Sequence, residues 1–310
     1  MKILVIFTGG TIGSDLNNGW ISPDNKVSHT LLDRYRTAFP DIQFDTCEPY
    51  TILSEHLAAE HIMLLTKTVC DNLDKDYDGI IVAHGTDTLA YSAAALYFAV
   101  GIDSIPVLLV SANKPLSNPD SNGKMNFLGA IKFIMQKAGK GVFVSYTNPN
   151  EPTTFHHSHD VLLQSESDER IYSYRNIPYA QLDNGKVKIL FDDHSFFSSG
   201  IGPLSLKKYP ELLVVDAIPG QSYNHSLDNV LCVILRPYHS STLDTKNEKF
   251  IQFCKRVKEK EIPLFMVNDS HSGTYESKKA LDELGISTMP GPFAFVYMKL
   301  WIMLGKNEEE

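Results

Sequence analysis

Two kinds of apolar run alternate along the chain. Residues 3–7 (ILVIF), 77–85 (YDGIIVAHG), 105–113 (IPVLLVSAN) and 141–147 (GVFVSYT) are nearly continuous in Val, Ile, Leu and Phe. Such runs, without polar alternation, predict strands covered on both faces. Between them the apolar spacing changes to three and four. Ile62, Leu65, Val69 and Leu73 fall on one face of a helix within 57–73; residues 88–100 form an Ala-rich helical stretch, and a third helix spans about 125–138. Repeated strand–helix order predicts a parallel, doubly wound sheet. From Asn148 to Ser205 the pattern breaks into a stretch rich in His, Ser, Asp and Tyr, with a hairpin strand at 185–190 (GKVKIL). Gly and Pro punctuate 196–210, which reads as a linker. Strands at 212–218, 230–238 and 262–268, with a helical stripe of Phe250, Phe253, Cys254 and Val257, then restore the earlier order. The expected fold is α/β: a larger N-terminal doubly wound, mostly parallel sheet over 1–196, a linker at 197–209, and a smaller C-terminal α/β domain over 210–310.

Composition narrows the partners. With 310 residues and a formal net charge of −9, the chain has the size for two domains but lacks the basic surface that nucleic acid or an anionic membrane attracts. The one dense basic run, residues 255–260 (KRVKEK), carries an interspersed Glu on a helical pattern and reads as a solvated face. The four cysteines form no C-x-x-C pair, so they are expected to be reduced structural thiols, with neither metal nor cofactor implied. The opening residues, MKILVIFTGG, have too short an apolar stretch for a secretion signal, and no run reaches the roughly 18 residues of a membrane span. The expectation is a soluble cytoplasmic protein.

In an open parallel sheet the site lies beyond the carboxyl ends of the strands. Four loops qualify: residues 8–14 (TGGTIGS), 53–57 (LSEHL), 84–88 (HGTDT) and 111–115 (SANKP). None is a dinucleotide or phosphate-loop motif. Gly9, Gly10 and Gly85 nonetheless let backbone N–H groups approach a substrate closely enough to stabilise an oxyanion.

TGGTIG near the start, followed some 75 residues later by DGIIVAHGTDTLAYSA, resembles the bacterial type I/II L-asparaginase family. GWISP (19–23), LSEHL, SNGKMNFLGAI (121–131), RPYHS (236–240) and SHSG (270–273) extend the resemblance over most of the chain. It implies hydrolysis of an Asn or Gln side-chain amide through two threonines and an acyl-enzyme, without cofactor or metal, in a homodimer or homotetramer. Thr11 matches the nucleophile, and Thr86 with Asp87 the second threonine and its carboxylate partner. Asp87 also matches the residue that holds the substrate's α-ammonium, and Ser54 the one that holds its α-carboxylate. Gly10, Gly85 and Ala112 match backbone positions lining the site. Thr8 reads as a turn residue.

Three positions depart from the family pattern. A threonine hydroxyl needs a base, and the family supplies a Lys in a segment that here reads NEPTTFHHSHD (150–160), with Phe155 at the Lys position and no Lys anywhere between Lys140 and Lys186. Trp20 replaces the Tyr of a mobile active-site loop, and Glu55 follows Ser54 where the family has an uncharged side chain. His156, His157 and His159 next to the missing Lys read as surface-loop histidines; a neutral imidazole base is the other reading. HHSHD also invites a metal reading, for which no matching distant ligand set is visible. Together these changes point to altered chemistry, and the leading reading is an amidohydrolase acting on a small amino-acid amide or a modified relative. Two alternatives stay open: an asparaginase-fold protein that binds without hydrolysing, and an amidase acting on a modified or peptide-linked amide.

Overall fold

The structure, a computed structural model, describes residues 1–17, 20–23, 25–165, 167–191, 199–268 and 275–307. The chain divides into two compact units, Met1–Ser205 and Leu206–Glu310.

The first unit contains, in chain order, β1 (Lys2–Phe7), a short hairpin β2 (Ser14–Asn17) and β3 (Trp20–Pro23), α1 (Asn25–Ala38), β4 (Gln43–Cys47), α2 (Ala59–Cys70), β5 (Gly79–Ala83), α3 (Leu89–Val100), β6 (Val107–Val110), α4 (Gly123–Met135), β7 (Val142–Thr147), β8 (Thr153–His157), β9 (Ala180–Asp183) and β10 (Lys186–Ile189). The main sheet has the order β10-β9-β8-β7-β6-β5-β1-β4. Its five strands from β7 to β4 are parallel, as the continuous apolar runs predict, and all side chains of β5 and β6 are buried. Ile3, Val5 and Phe7 of β1 enter one core with Leu32 and Tyr35 of α1 and Phe127, Ile131 and Phe133 of α4. Leu4 and Ile6, equally buried, point to the opposite face by the alternation of a strand.

The polar stretch after Asn148 is only partly loop. β8 folds back antiparallel on β7, pairing Tyr146 with Thr154 and Phe143 with His157, and β9 and β10 continue the sheet antiparallel. The hairpin between β9 and β10 turns on Asn184 and Gly185, both at positive φ (47° and 76°), the pair that matches the twist of a two-residue hairpin. His156 and His159 are therefore buried, at 3% and 4% exposure, and the surface-loop reading of these histidines is corrected. Alternating polar residues hid the strand because a histidine with hydrogen-bonding neighbours fills a core position: His156 sits between the hydroxyls of Thr154 (2.9 Å) and Ser173 (2.7 Å), and burial lowers its pKa to about 4.

The second unit contains β11 (Glu211–Asp216), β12 (Val230–Arg236), α5 (Glu248–Glu259), β13 (Leu264–Asn268), β14 (Ser287–Pro290) and α6 (Phe293–Asn307). Its four strands are parallel in the order β11-β12-β13-β14. Phe250, Phe253, Cys254 and Val257 of α5 pack into its core, which leaves Lys255, Arg256 and Lys258 exposed. Asn247 caps α5 by accepting from the backbone N–H of Lys249 and Phe250. No helix among the described residues is long and apolar enough to cross a membrane.

Candidate active site

Chain connectivity reverses between β1 and β5. From β1 the chain runs outward to β4, then returns to β5 and proceeds through β6 to β7. A crevice forms beyond the strand ends at such a reversal, and the two loops that open into it are those carrying Thr11 and Thr86.

Thr8 ties the two strands together. Its backbone N–H (3.1 Å) and its hydroxyl (2.8 Å) both donate to the carbonyl of Ala83, so it is a clamp between β1 and β5 more than a turn residue. Gly9 and Gly10 follow at positive φ (94° and 69°). A Cβ on Gly9 would fall 2.2 Å from the carbonyl oxygen of Ile52, and one on Gly10 2.3 Å from the nitrogen of Gly85. Only glycine fits either place, in conformation and in space. Gly10 donates to the Ile52 carbonyl (2.9 Å) and accepts from the Ser14 hydroxyl (2.7 Å), which fixes the short helical turn Thr11–Gly13.

The HGTDT loop meets this turn through glycine. A Cβ on Gly85 would lie 2.5 Å from Cβ of Ser54 and 3.2 Å from Cα of Gly10. Gly85 is thus wedged between the TGGT loop and the short helical turn Ser54–His56. Thr11 and Thr86 each stand one residue along the chain from the Gly10–Gly85 contact. Ser54 is buried; its hydroxyl donates to the Asp87 carboxylate at 3.0 Å, while its carbonyl accepts from the Thr88 hydroxyl at 3.0 Å. Asp87 lies just before the N-terminus of α3, where the helix dipole favours negative charge. The hydroxyls of Thr11 and Thr86 and the backbone N–H groups of Gly85, Thr86 and Asp87 make no hydrogen bond among the described residues. Two free hydroxyls beside free N–H donors and an anchored carboxylate can attack a carbonyl and hold the resulting oxyanion.

Ala112 is buried after β6; a Cβ on Gly123 would touch both its side chain (2.8 Å) and that of Ile12 (3.5 Å), so it backs the same turn. Glu55 is exposed and has no ionic partner among the described residues. Trp20 is 79% exposed at the start of β3, a strand that runs beside the Thr11–Gly13 turn. Gly19 of the GWISP segment and the SHSG segment lie outside the described residues. Lys114, in the SANKP loop, sits 3.7 Å from Asp120.

Phe155 does not face the crevice. It is fully buried in the core shared with α4, its ring centroid 4.9 Å from that of Phe133. No group of three or more His, Cys, Asp and Glu among the described residues is arranged to hold a metal ion. Sequence reasoning passed over Ile52, Ser14 and Thr88, whose backbone or hydroxyl contacts set the glycine loops. Only Ser14, four residues past Gly10, carried a local signal.

Comparison with known proteins identifies the family and the fold. The family model described as "Asparaginase, N-terminal" matches residues 2–190. A glutamyl-tRNA(Gln) amidotransferase subunit of Pyrococcus furiosus is 27% identical over 229 residues, 71% of this chain and 51% of that protein. The chain therefore spans about half the length of such curated relatives. The L-asparaginase I of Vibrio cholerae superposes with a TM-score of 0.80 at 21% identity, covering 99% of this chain and 93% of that one. The thermostable L-asparaginase of Thermococcus kodakarensis gives 0.78 at 21% identity, covering 98% and 93%. With its family's profile spanning the whole sheet that carries the two threonine loops, the chain belongs to the asparaginase family.

Proposed function

We propose that the protein is an amidohydrolase that cleaves the side-chain amide of Asn or a related compound through Thr11. The Thr11 hydroxyl attacks the amide carbonyl, backbone N–H groups receive the oxyanion, and the C–N bond breaks as nitrogen takes a proton and leaves as ammonia. Water then cleaves the Thr11 ester and releases the carboxylic acid. Thr86 and Asp87 supply the second hydroxyl and its carboxylate partner, with Asp87 also receiving an α-ammonium. Ser54 faces the α-carboxylate, Gly10, Gly85 and Ala112 lend backbone, and Trp20 and Glu55 select the amide. The observation that supports this reading is the Gly10–Gly85 contact, one residue along the chain from each of two threonines whose hydroxyls make no hydrogen bond among the described residues. Without a Lys in 141–185 the general base is weakened, and such a loss costs about 10²–10⁴ in rate. Free Asn is therefore a poor substrate.

The curated relatives favour a second reading of the same chemistry: a subunit that releases ammonia from an amide for a partner protein. Either way we place the protein in the cytoplasm, as a homodimer or homotetramer in the first reading. Ammonia release from Asn, Gln and a panel of amides, with Thr11→Ala as the control, tests both. Release that Thr11→Ala abolishes supports hydrolysis at this site. Release that persists in Thr11→Ala, or none from any amide alone or with a partner, refutes it.

A further inference from the structure

Gly85 poses a problem for the site it builds. Space demands glycine there, because any Cβ would strike Ser54. Yet glycine leaves the following peptide free to rotate. If the Gly85–Thr86 peptide turned over, its carbonyl would take the place of the Thr86 N–H, and a dipole of the wrong sign would meet a developing oxyanion. Something has to hold that peptide.

His84 is placed to do so. It follows β5 directly, and its ring is 2% exposed. Nδ1 lies 2.8 Å from the carbonyl oxygen of Gly85, and Nε2 lies 2.9 Å from the hydroxyl of Ser92, one turn into α3 and fully buried. A carbonyl only accepts, so Nδ1 must carry the hydrogen; in the neutral ring Nε2 then accepts from the Ser92 hydroxyl. Burial disfavours the imidazolium and lowers the ring's pKa, which keeps the ring neutral, and the Gly85 carbonyl selects this tautomer. In a trans peptide the C=O and N–H point in opposite directions. With the Gly85 carbonyl turned to the imidazole, the Thr86 N–H is turned away from it, and it is one of the donors that remain free among the described residues.

We propose that His84 is a positioning residue: oriented by Ser92, its Nδ1–H locks the Gly85–Thr86 peptide so that the Thr86 N–H and side chain hold a fixed direction in the crevice. The catalytic consequence rests on the amidohydrolase reading above; the lock itself does not. His84 touches no substrate in this account and acts only through the peptide beside it.

Asparagine and glutamine separate the two ring nitrogens. His84→Asn sets an amide N–H close to the position of Nδ1 and preserves the donor to Gly85. His84→Gln reaches toward Ser92 and leaves the Gly85 carbonyl without a donor. Both remove the same ring from the same buried place, so a merely structural role predicts similar losses for the two. The lock predicts a split: kcat falls about 10²-fold in His84→Gln, the size of effect a misplaced group produces, with KM little changed, while His84→Asn stays within about tenfold of wild type. Thermal melts of both variants confirm a folded population. A second readout is independent of turnover. Long-range ¹⁵N–¹H spectra of histidine-labelled protein should show His84 protonated at Nδ1 and bare at Nε2, and the Thr86 amide resonance should move in His84→Gln more than in His84→Asn. Protonation at Nε2 instead, or equal kcat losses in two folded variants, overturns the lock. If the wild type hydrolyses no amide while tautomer and resonance behave as stated, the amidohydrolase reading fails and the lock stands.

Discussion

Phe155 occupies the position at which family resemblance leads one to expect a catalytic Lys, so restoring that Lys is the direct test of where the position lies. Its side chain is fully buried, stacked obliquely on Phe133 at 4.9 Å. Removing the ring in Phe155→Ala costs about 3–5 kcal/mol for transfer and cavity together. Phe155→Lys refills part of the volume with its methylenes but brings an ammonium among phenyl rings, which adds about 1.4 kcal/mol for each unit by which burial lowers its pKa. A total near or above 5 kcal/mol rivals the whole stability of an ordinary domain. Thermal melting should show Phe155→Ala about 6–20 °C below wild type, at 2–4 °C per kcal/mol for a domain this size, and Phe155→Lys unfolded or lower still. Ammonia release per folded molecule should be unchanged in Phe155→Ala. If Phe155→Lys melts with the wild type and hydrolyses Asn faster, the residue faces the crevice and the argument from its burial is wrong.

Gly10→Ala sets a methyl 2.3 Å from the Gly85 nitrogen at φ 69°, with backbone on both sides of the contact; activity should vanish and melting should drop sharply, and a fully active Gly10→Ala would disprove the glycine seam. Glu55→Gln should raise affinity for free Asp or Asn, because a carboxylate about 4 Å from another costs about 1–4 kcal/mol between bulk-water and surface dielectrics; calorimetry showing equal affinities removes Glu55 from substrate selection. Stability should depend on pH through His156, whose pKa falls from 6.5 to about 4 on burial. Between those values the unfolded chain takes up a proton that the folded chain refuses. Stability is therefore full above 6.5 and declines by about 3 kcal/mol as pH drops through that window; urea titrations in which His156→Asn keeps the same slope would reject this. Asn247→Ala should cost about 1 kcal/mol by uncapping α5, measured as a shift in urea midpoint.

The inner parallel strands and the helices between them were legible because a strand covered on both faces must be apolar throughout, as 3–7 and 105–113 are; the edge strand β4 (QFDTC), only partly covered, and α1 before it were not. The glycine–threonine loops were legible for a related reason: close backbone approach excludes other residues at Gly10 and Gly85. β8 was not, since Thr154, His156 and Ser173 satisfy one another inside the core and so look like surface in one dimension. β14 and α6 went unread as well; α6 is apolar nearly all round, without the polar face that marks a helix boundary in sequence. The antiparallel return of β8 also moved Phe155 into the core, a placement that motif alignment has no means to see.

The clamp from Thr8 to Ala83 joins residues 75 apart in sequence, and this orders events as the chain is made. β1 precedes both of its neighbours in the chain and lies between β4 and β5, so after pairing with β4 its other edge stays open until β5, some eighty residues along, has left the ribosome. The β9–β10 hairpin, by contrast, closes within a few residues and can form in microseconds on its own. A nascent chain arrested before Ala83 would leave the β5-facing edge of β1 open and lack the Thr8–Ala83 clamp, whereas one that has passed Asp87 carries both halves of the seam. Slowed translation across residues 40–80 should thus raise aggregation without changing the mature protein, a liability set by topology and not by the stability of the finished fold.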